Sequence, residues 1–189
     1  MAKVALIGLG NPGPKYHNTP HNAGQMFINY LLKQPFLNNL TQLKTTKFCI
    51  IYKGTYQQLE FYLILPRTYM NNSGLCTKEI HRILKYMDFV VIAHDDLDIP
   101  FLKYKISPKT TRTHNGVNSV KQSLPPKPTT LFIRIGVKRQ ASPLKGCDYL
   151  LSPFSKEELQ ALHNAVFPKI LQELPHKLQV QHSAKLPLE

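Results

Sequence analysis

Residues 4–24 read VALIGLGNPGPKYHNTPHNAG and join an apolar run to a polar, turn-rich loop. The first four residues of this stretch are an apolar run typical of a buried strand. The glycines and prolines that follow exclude helix and sheet over most of the next segment. The loop ends at His21, where an amphipathic helix pattern begins. A polar loop that leaves a strand and delivers a histidine is typical of functional sites in α/β proteins.

The same loop matches a second pattern, because residues 8–13 follow the G-x-G-x-x-G spacing of dinucleotide-binding proteins. That fingerprint needs an acidic residue about 20 positions later to bind the ribose. The chain has no Asp or Glu before Glu60. Pro14 and Pro20 also delay the predicted helix beyond the glycines. A nucleotide-dependent enzyme is therefore disfavoured, and a glycine-proline turn without a ligand is a further alternative.

Length and composition limit the class of protein. The chain has 189 residues, 42% of them hydrophobic, with no apolar run near 18 residues. We expect one domain over residues 1–189, with a real core and no membrane partner. Cys49, Cys76 and Cys147 show no CxxC spacing, which predicts buried free thiols in a reducing compartment. No residues have zinc-ligand spacing, and the N-terminal strand predicts neither a signal peptide nor an ordinary cleavable presequence.

Charge is the strongest compositional signal, since the formal net charge is +13. The segment between Asp98 and Asp148 contains no acid and ten basic residues: Lys103, Lys105, Lys109, Arg112, Lys121, Lys127, Arg134, Lys138, Arg139 and Lys145. A segment of one sign and this length favours a polyanion, such as a nucleic acid, as partner. A basic surface that serves solubility or organelle import is the alternative.

The order of predicted elements favours an α/β fold, with a mixed twisted sheet packed between helices in a single globular domain. The predicted strands are 3–9, 47–53, 56–65, 89–93, 103–106 and 131–137, with a hairpin turn at 53–55. The predicted helices are 21–33, 73–86, 116–124 and one from a capping box at Ser155 to about Leu174, closed by Pro175. We expect the tail beyond about residue 175 to be frayed.

Four loops carry unusual polar residues: Asn11, His21, Asn71, and the pair Asp95 and Asn115. His21 has a reference pKa near neutrality, about 6.5, which suits proton transfer. Asp95 would hold the tautomer in which the other ring nitrogen is basic. No serine or cysteine has the setting of a nucleophile, so the pair points to activation of water. The asparagines suit recognition of amides or a carbonyl. His94, beside Asp95, is an equal candidate for the base.

A family resemblance emerges from motifs that span about residues 4–155. As a set they resemble the bacterial-type peptidyl-tRNA hydrolases, in family order. The matching segments are 8–13, Tyr16, 21–24, 69–74 (Tyr-Met-Asn-x-Ser-Gly), 94–98, 114–116 and 134–137. The resemblance implies a monomeric α/β globule that hydrolyses the ester joining a peptide to the 3′ end of tRNA. It also implies that no metal and no organic cofactor take part.

The resemblance implies a role for each matching residue. His21 is the base, Asp95 orients it, and Asn11 and Asn71 position the peptide and the attacked carbonyl. Tyr16 and Met70 line the cleft, and Asn115 helps to place the water or the tRNA end. The expected tRNA contacts are Lys103, Lys105 and Arg134, to which we add Lys109 and Arg112 of the neighbouring loop.

Three segments depart from the bacterial pattern. Residues 109–113 are Lys-Thr-Thr-Arg-Thr in place of a glycine-rich run, Pro20 replaces a common Arg, and residues 138–140 replace a glycine-rich turn. The first departure is similar to eukaryotic members of the family. We therefore expect a mitochondrial location, with the cytoplasm as alternative.

A non-catalytic RNA-binding relative with the same cleft is the rival interpretation. RNA binding alone does not require His21, Asp95, Asn11 and Asn71 together. Their joint presence favours the hydrolase.

Overall fold

The computed structural model describes residues 1–184 and contains one seven-stranded sheet. The strands are β1 (Ala2–Gly8), β2 (Asn38–Thr45), β3 (Cys49–Tyr56), β4 (Leu59–Pro66), β5 (Phe89–Pro100), β6 (Tyr104–Ser107) and β7 (Thr129–Lys138). Their spatial order is β2-β3-β4-β1-β5-β7-β6. The four strands β4, β1, β5 and β7 are parallel neighbours, whereas β2, β3 and β6 pair antiparallel. The predicted mixed sheet is confirmed.

Helices cover both faces of this sheet. They are α1 (Ala23–Leu32), α2 (Gly74–Glu79), α3 (His81–Leu84), α4 (Asn115–Lys121), α5 (Gly146–Leu150), α6 (Lys156–Ala161) and α7 (Phe167–Ser183). One apolar cluster joins the sheet to α1 and α7, and a second joins it to α2, α3 and α4. The predicted α/β sandwich is thus confirmed. Within residues 1–184, no helix is both long and apolar enough to cross a membrane.

The C-terminal helix differs from the prediction, because α7 continues through Pro175 to Ser183. A proline inside a helix removes one backbone hydrogen bond. Here Leu174, Pro175 and Leu178 are buried against the sheet, and this packing stabilises the turn that the proline weakens. The expected helix end at Pro175 is wrong for residues 176–183, while residues 185–189 lie outside the described part of the chain.

The hairpin and the edge strand also differ from the prediction. The turn lies at residues 57–58, where Gln57 has a φ of 53°, and the expected turn residue Gly54 lies inside β3. Strand β2 was not predicted, because nearly all of its side chains are exposed and it lacks an alternating apolar face. The predicted helix 73–86 is divided at Ile80 into α2 and α3.

All three cysteines are also placed differently from the expectation of buried free thiols. Cys49 at the start of β3 and Cys76 in α2 form a disulfide, with their Cα atoms 5.3 Å apart. The prediction of free thiols is wrong for this pair, because cysteine spacing along the chain does not report distances across a folded sheet. Cys147 is free and exposed.

Candidate active site

The close approach of α1 to the centre of the sheet brings the loop after β1 to the middle of β5. Gly24 lies so close to β5 that a Cβ atom there would be 2.0 Å from the carbonyl oxygen of Ala93. The backbone N–H of Leu9 also donates to that carbonyl, at 3.0 Å. The glycine therefore serves helix-to-strand packing, and its consequence is that His21, just before α1, faces Asp95 in the middle of β5.

His21 and Asp95 form the pair that the sequence predicted. The imidazole Nδ1 lies 3.0 Å from Oδ1 and 3.1 Å from Oδ2 of Asp95. Asp95 is still within strand β5, opposite Ile135 of β7, so the His21 ring is oriented by a residue of the sheet rather than of a loop. Burial is the largest influence on the pKa of His21 and lowers it, but the hydrogen bond and charge of Asp95 together outweigh burial, so the pKa is raised.

The ionisation of Asp95 decides the tautomer of its partners. Burial works to raise the pKa of Asp95, but the charges and hydrogen bonds of His114 and His21 hold that pKa well below its usual range. A carboxylate only accepts hydrogen bonds. Nδ1 of His21 must therefore carry the hydrogen, which leaves its Nε2 with a free lone pair.

His114 is the functional residue to which sequence reasoning gave no role. Its Nε2 donates to Oδ1 of Asp95 at 2.8 Å, and its Nδ1 accepts from the backbone N–H of Val117 at 3.3 Å, which caps α4. Both ring nitrogens are thus engaged, whereas His21 retains one free nitrogen. The only sequence signal for His114 was its place beside Asn115 in the 114–116 motif, and that signal did not separate it from a structural histidine.

His94, the alternative base, is excluded by its surroundings. Its ring is fully buried, with Nδ1 2.7 Å from the carbonyl oxygen of Asp95 and Nε2 2.8 Å from the hydroxyl of Thr110. Burial, followed by the nearby charge of His114, lowers the pKa of His94 to about 4. It therefore supports the neighbouring strand and loop and has no nitrogen open to a ligand.

Asn11 is held rigidly beside the pair. Its backbone N–H donates to the side-chain oxygen of Asn22 at 2.9 Å, and its own side-chain oxygen accepts from the backbone N–H of Met70 at 2.7 Å. The side-chain oxygen is therefore occupied, and Nδ2 is the group that Asn11 offers to a ligand.

We call the opening around these residues the His21 cleft. Its larger lobe has a volume of about 270 Å³, and its smaller lobe has a volume of about 150 Å³. The residues that line the larger lobe are Asn11, His21, Tyr69, Met70, Asn71, Asn115, Cys147, Leu150 and Leu151. The smaller lobe adds Asp95, His114 and the loop residues Thr111 and Thr113, among others.

The larger lobe brings together five of the predicted residues. Asn11, His21, Met70, Asn71 and Asn115 line the same lobe. The residue expected to line it with them, Tyr16, is not among its lining residues. Its ring is edge-on to Tyr69, with ring centroids 6.3 Å apart. Sequence reasoning gave no role to Tyr69, although it begins the 69–74 motif, and it missed Cys147 and Leu150 because neither belongs to a distinctive motif.

Three side chains that are distant in the sequence lie close enough together in the fold to bind one metal ion. His21, Asp95 and His114 each offer one ligand atom, and these atoms lie within 4.8 Å of one another. No spacing along the chain indicated this group. The hydrogen bonds of both histidines to one carboxylate account for the arrangement without a cation.

The predicted tRNA contacts lie along the β6–β7 edge of the sheet and in the loop that follows β6. Lys103, Lys105, Lys109 and Arg112 are exposed. Lys105 of β6 pairs in register with Arg134 of β7. Arg134 differs from the others because its Nε donates to the buried carboxylate of Asp96 at 2.7 Å.

Comparisons with known proteins identify the family of this chain. The family model described as peptidyl-tRNA hydrolase matches residues 5–186. The peptidyl-tRNA hydrolase of Geotalea uraniireducens is 35% identical over 99% of this chain and 94% of its own length. That of Bacillus velezensis is 37% identical over 86% of each chain.

A solved structure resembles the whole fold. The crystal structure of peptidyl-tRNA hydrolase from Acinetobacter baumannii has a TM-score of 0.77 and 26% identity, covering 97% of this chain and 91% of that one. The sequence match and the fold match agree, so this chain belongs to the peptidyl-tRNA hydrolase family.

Proposed function

We propose that this chain hydrolyses the ester bond between a peptide and the 3′ end of tRNA. The observation that carries the proposal is the single free nitrogen of the His21–Asp95–His114 group, in a cleft lined by three asparagines. The family supports the same reaction.

The mechanism follows from the tautomers. Nε2 of His21 takes a proton from water while the water oxygen attacks the ester carbonyl, and the resulting imidazolium is stabilised by the carboxylate of Asp95. The carbonyl oxygen then carries negative charge, and the proposed donors to it are the Nδ2 group of Asn11 and the side-chain amide of Asn71. When the carbon–oxygen bond breaks, His21 returns its proton to the departing 3′ oxygen of the tRNA. Asn115 helps to place the water or the tRNA end.

The tRNA side of the proposal rests on charge. Lys103, Lys105, Lys109 and Arg112 are exposed on one edge. They would bind backbone phosphates, which provide most of the affinity of such complexes. Arg134 uses Nε on Asp96, which leaves its terminal nitrogens for a phosphate.

The deciding experiment is the release of a labelled N-acylated amino acid from tRNA by the wild type and by His21→Ala. We expect the variant to lose about 10²–10⁴-fold in turnover, as is typical for a general base, with tRNA binding retained. Turnover that survives this substitution at the wild-type level would exclude His21 as the base. A wild type that binds tRNA without any release would instead favour the non-catalytic RNA-binding alternative.

The proposal includes no metal, no cofactor and a monomeric chain. Hydrogen bonds within the His21–Asp95–His114 group support the first point. Exhaustive chelation of metal ions should leave hydrolysis of a minimal ester substrate unchanged. A loss of activity that zinc restores would contradict the metal-free mechanism. Light scattering tests the monomer.

We also propose a mitochondrial location, with the cytoplasm as alternative. The net charge of +13 and the glycine-free 109–113 loop support it. Imaging of a fluorescent fusion against a mitochondrial marker tests it.

A further inference from the structure

A second opening lies beside the His21 cleft, between α2 and α4. We call it the Asn71 groove. It has a volume of about 630 Å³, and its lining includes Asn71, Asn72, Leu75, Lys78, Gln122 and Leu124. Asn71 also lines the His21 cleft, so the two openings meet at this residue. The other residues of the groove take no part in the proposed chemistry at His21.

The floor of the groove is a tightly packed contact between α2 and the end of α4. A Cβ atom on Gly74 would lie 2.3 Å from the carbonyl oxygen of Ser119, and the backbone N–H of Gly74 donates to the Ser119 hydroxyl at 2.9 Å. The Ser123 hydroxyl donates to the carbonyl of Gly74 at 3.2 Å. These hydroxyls are satisfied within the protein, so the shape of the groove is set before any ligand arrives.

The remaining lining suits an extended peptide. Asn71, Asn72 and Gln122 are exposed amides, which donate to and accept from a peptide backbone. Leu75 is 41% exposed and provides an apolar contact for side chains. The lining residues include no acid, and Lys78 is an exposed cation among them. A nucleic-acid backbone would need more cations than this lining offers. The exposed cations that we predict to bind tRNA lie on the β6 side of the sheet.

Sheet topology gives the direction in which a peptide would leave the cleft. Asn71 follows β4, which lies on one side of β1 and β5. The exposed lysines of β6 and its following loop lie beyond β5 on the opposite side. An ester held at His21, with its tRNA along the β6–β7 edge, therefore directs the peptide toward β4, where the Asn71 groove begins.

We propose that the Asn71 groove binds the peptide residues that precede the esterified residue, and that Lys78 favours acidic side chains among them. This inference rests on the proposed hydrolase function. It adds a subsite to that function and a preference among nascent peptides.

The test compares three substrates on one tRNA: an N-acetyl-aminoacyl ester, a neutral N-acetyl-tetrapeptidyl ester and an acidic one. The wild type should show the highest kcat/KM for the acidic tetrapeptide. Lys78→Glu should lower that value relative to the N-acetyl-aminoacyl ester by up to about five-fold, the range of one exposed ion pair. Lys85→Glu is the matched control, because Lys85 is also exposed and lies after α3, outside the groove lining.

Two results would contradict the proposed peptide binding by the groove. One is equal kcat/KM for all three substrates in the wild type. The other is a decrease in Lys78→Glu that is the same for short and long substrates, which would assign the surface to tRNA.

A measurement without catalysis separates the groove from the reaction. Titration of the protein with the free acidic N-acetyl-tetrapeptide should shift the backbone NMR signals of α2 and α4, and Lys78→Glu should weaken these shifts. Shifts without any ester hydrolysis would support the groove and contradict the proposed function. Hydrolysis of the shortest ester without these shifts would support the function and contradict the groove.

Discussion

Nδ1 of His21 lies 3.0 Å from Oδ1 of Asp95, although the two residues are 74 positions apart in the chain. His21 precedes α1 and Asp95 belongs to β5, so their distance depends on how closely α1 packs against the sheet. The carboxylate also receives a hydrogen bond from His114. This one contact therefore connects helix packing, tautomer and the pKa of the proposed base.

Asp95→Asn should change both the rate and its dependence on pH. Asp95 raises the pKa of His21 above 6.5, and His21 is a base only when neutral, so kcat/KM of the wild type should fall as pH falls through that raised pKa. In the variant only the lowering effect of burial remains, and the acid limb should move to lower pH. The maximal rate should fall roughly 10²–10⁴-fold because the imidazolium loses its counter-charge.

A pH–rate profile of kcat/KM checks this prediction. Asp88→Asn is the control, because Asp88 is exposed and lies at the end of the sheet opposite the cleft. Its carboxylate accepts a hydrogen bond from the backbone N–H of Lys3. An acid limb that stays in place in Asp95→Asn would show that Asp95 does not set the pKa of His21.

Gly24→Ala should destabilise the protein by about 1–3 kcal/mol, the usual cost of forcing an extra methyl into a packed contact. The added Cβ would lie 2.0 Å from the Ala93 carbonyl oxygen, so α1 must shift. Activity should fall as well, because His21 moves with the start of α1. Gly54→Ala is the matched control, since the nearest atom to its added Cβ would be in the Leu40 side chain, at 3.3 Å. Urea unfolding of the two variants measures the difference, and equal midpoints would contradict the packing role of Gly24.

Alkylation of Cys147 with a bulky maleimide should inhibit ester hydrolysis. The thiol is exposed and lines both lobes of the His21 cleft, so an adduct would occupy substrate space. Cys49 and Cys76 are paired and will not compete for the reagent. Cys147→Ser should keep near wild-type activity and resist the reagent. Full activity after complete labelling, checked by mass spectrometry, would place the thiol outside the path of the substrate.

Replacing Lys109 and Arg112 together by Ala should weaken tRNA binding. Thr110 anchors this loop to His94 at 2.8 Å, while Lys109 and Arg112 remain exposed beside the cleft. We expect the slope of log affinity against log salt to flatten by roughly 0.7–0.9 for each phosphate that the variant no longer binds. Cleavage of a short ester without the tRNA body should change little.

Lys44→Ala combined with Lys85→Ala provides a control with the same change in net charge. Both residues are exposed, one on edge strand β2 and the other after α3. A salt slope that changes equally in the two double variants would show that the loop acts only through net charge.

Local patterns in the sequence were enough for most of the sheet-forming strands, the α/β class and the family. Residues 4–7 and 89–93 are short apolar runs, and runs of this kind are typical of buried strands. Both runs are buried in the structure. The motifs around Asn11, His21, Asn71 and Asp95 were recognisable because each is a short, contiguous pattern. The continuation of α7 through Pro175 and the exposed strand β2 were not predictable, since packing overrides local preference in the first and no apolar face marks the second.

The choice of His21 over His94 as the candidate base needed the tertiary structure. By sequence, His94 adjoins Asp95 and His21 is distant, yet alternate residues of a strand point to opposite faces. The side chain of His94 is therefore buried away from the cleft, while Asp95 reaches His21 and His114 across the sheet. Residue types and motifs are local properties of the chain and can be identified along it. Which ring nitrogen stays free, and which cysteines meet, depends on distances between segments that only packing brings together.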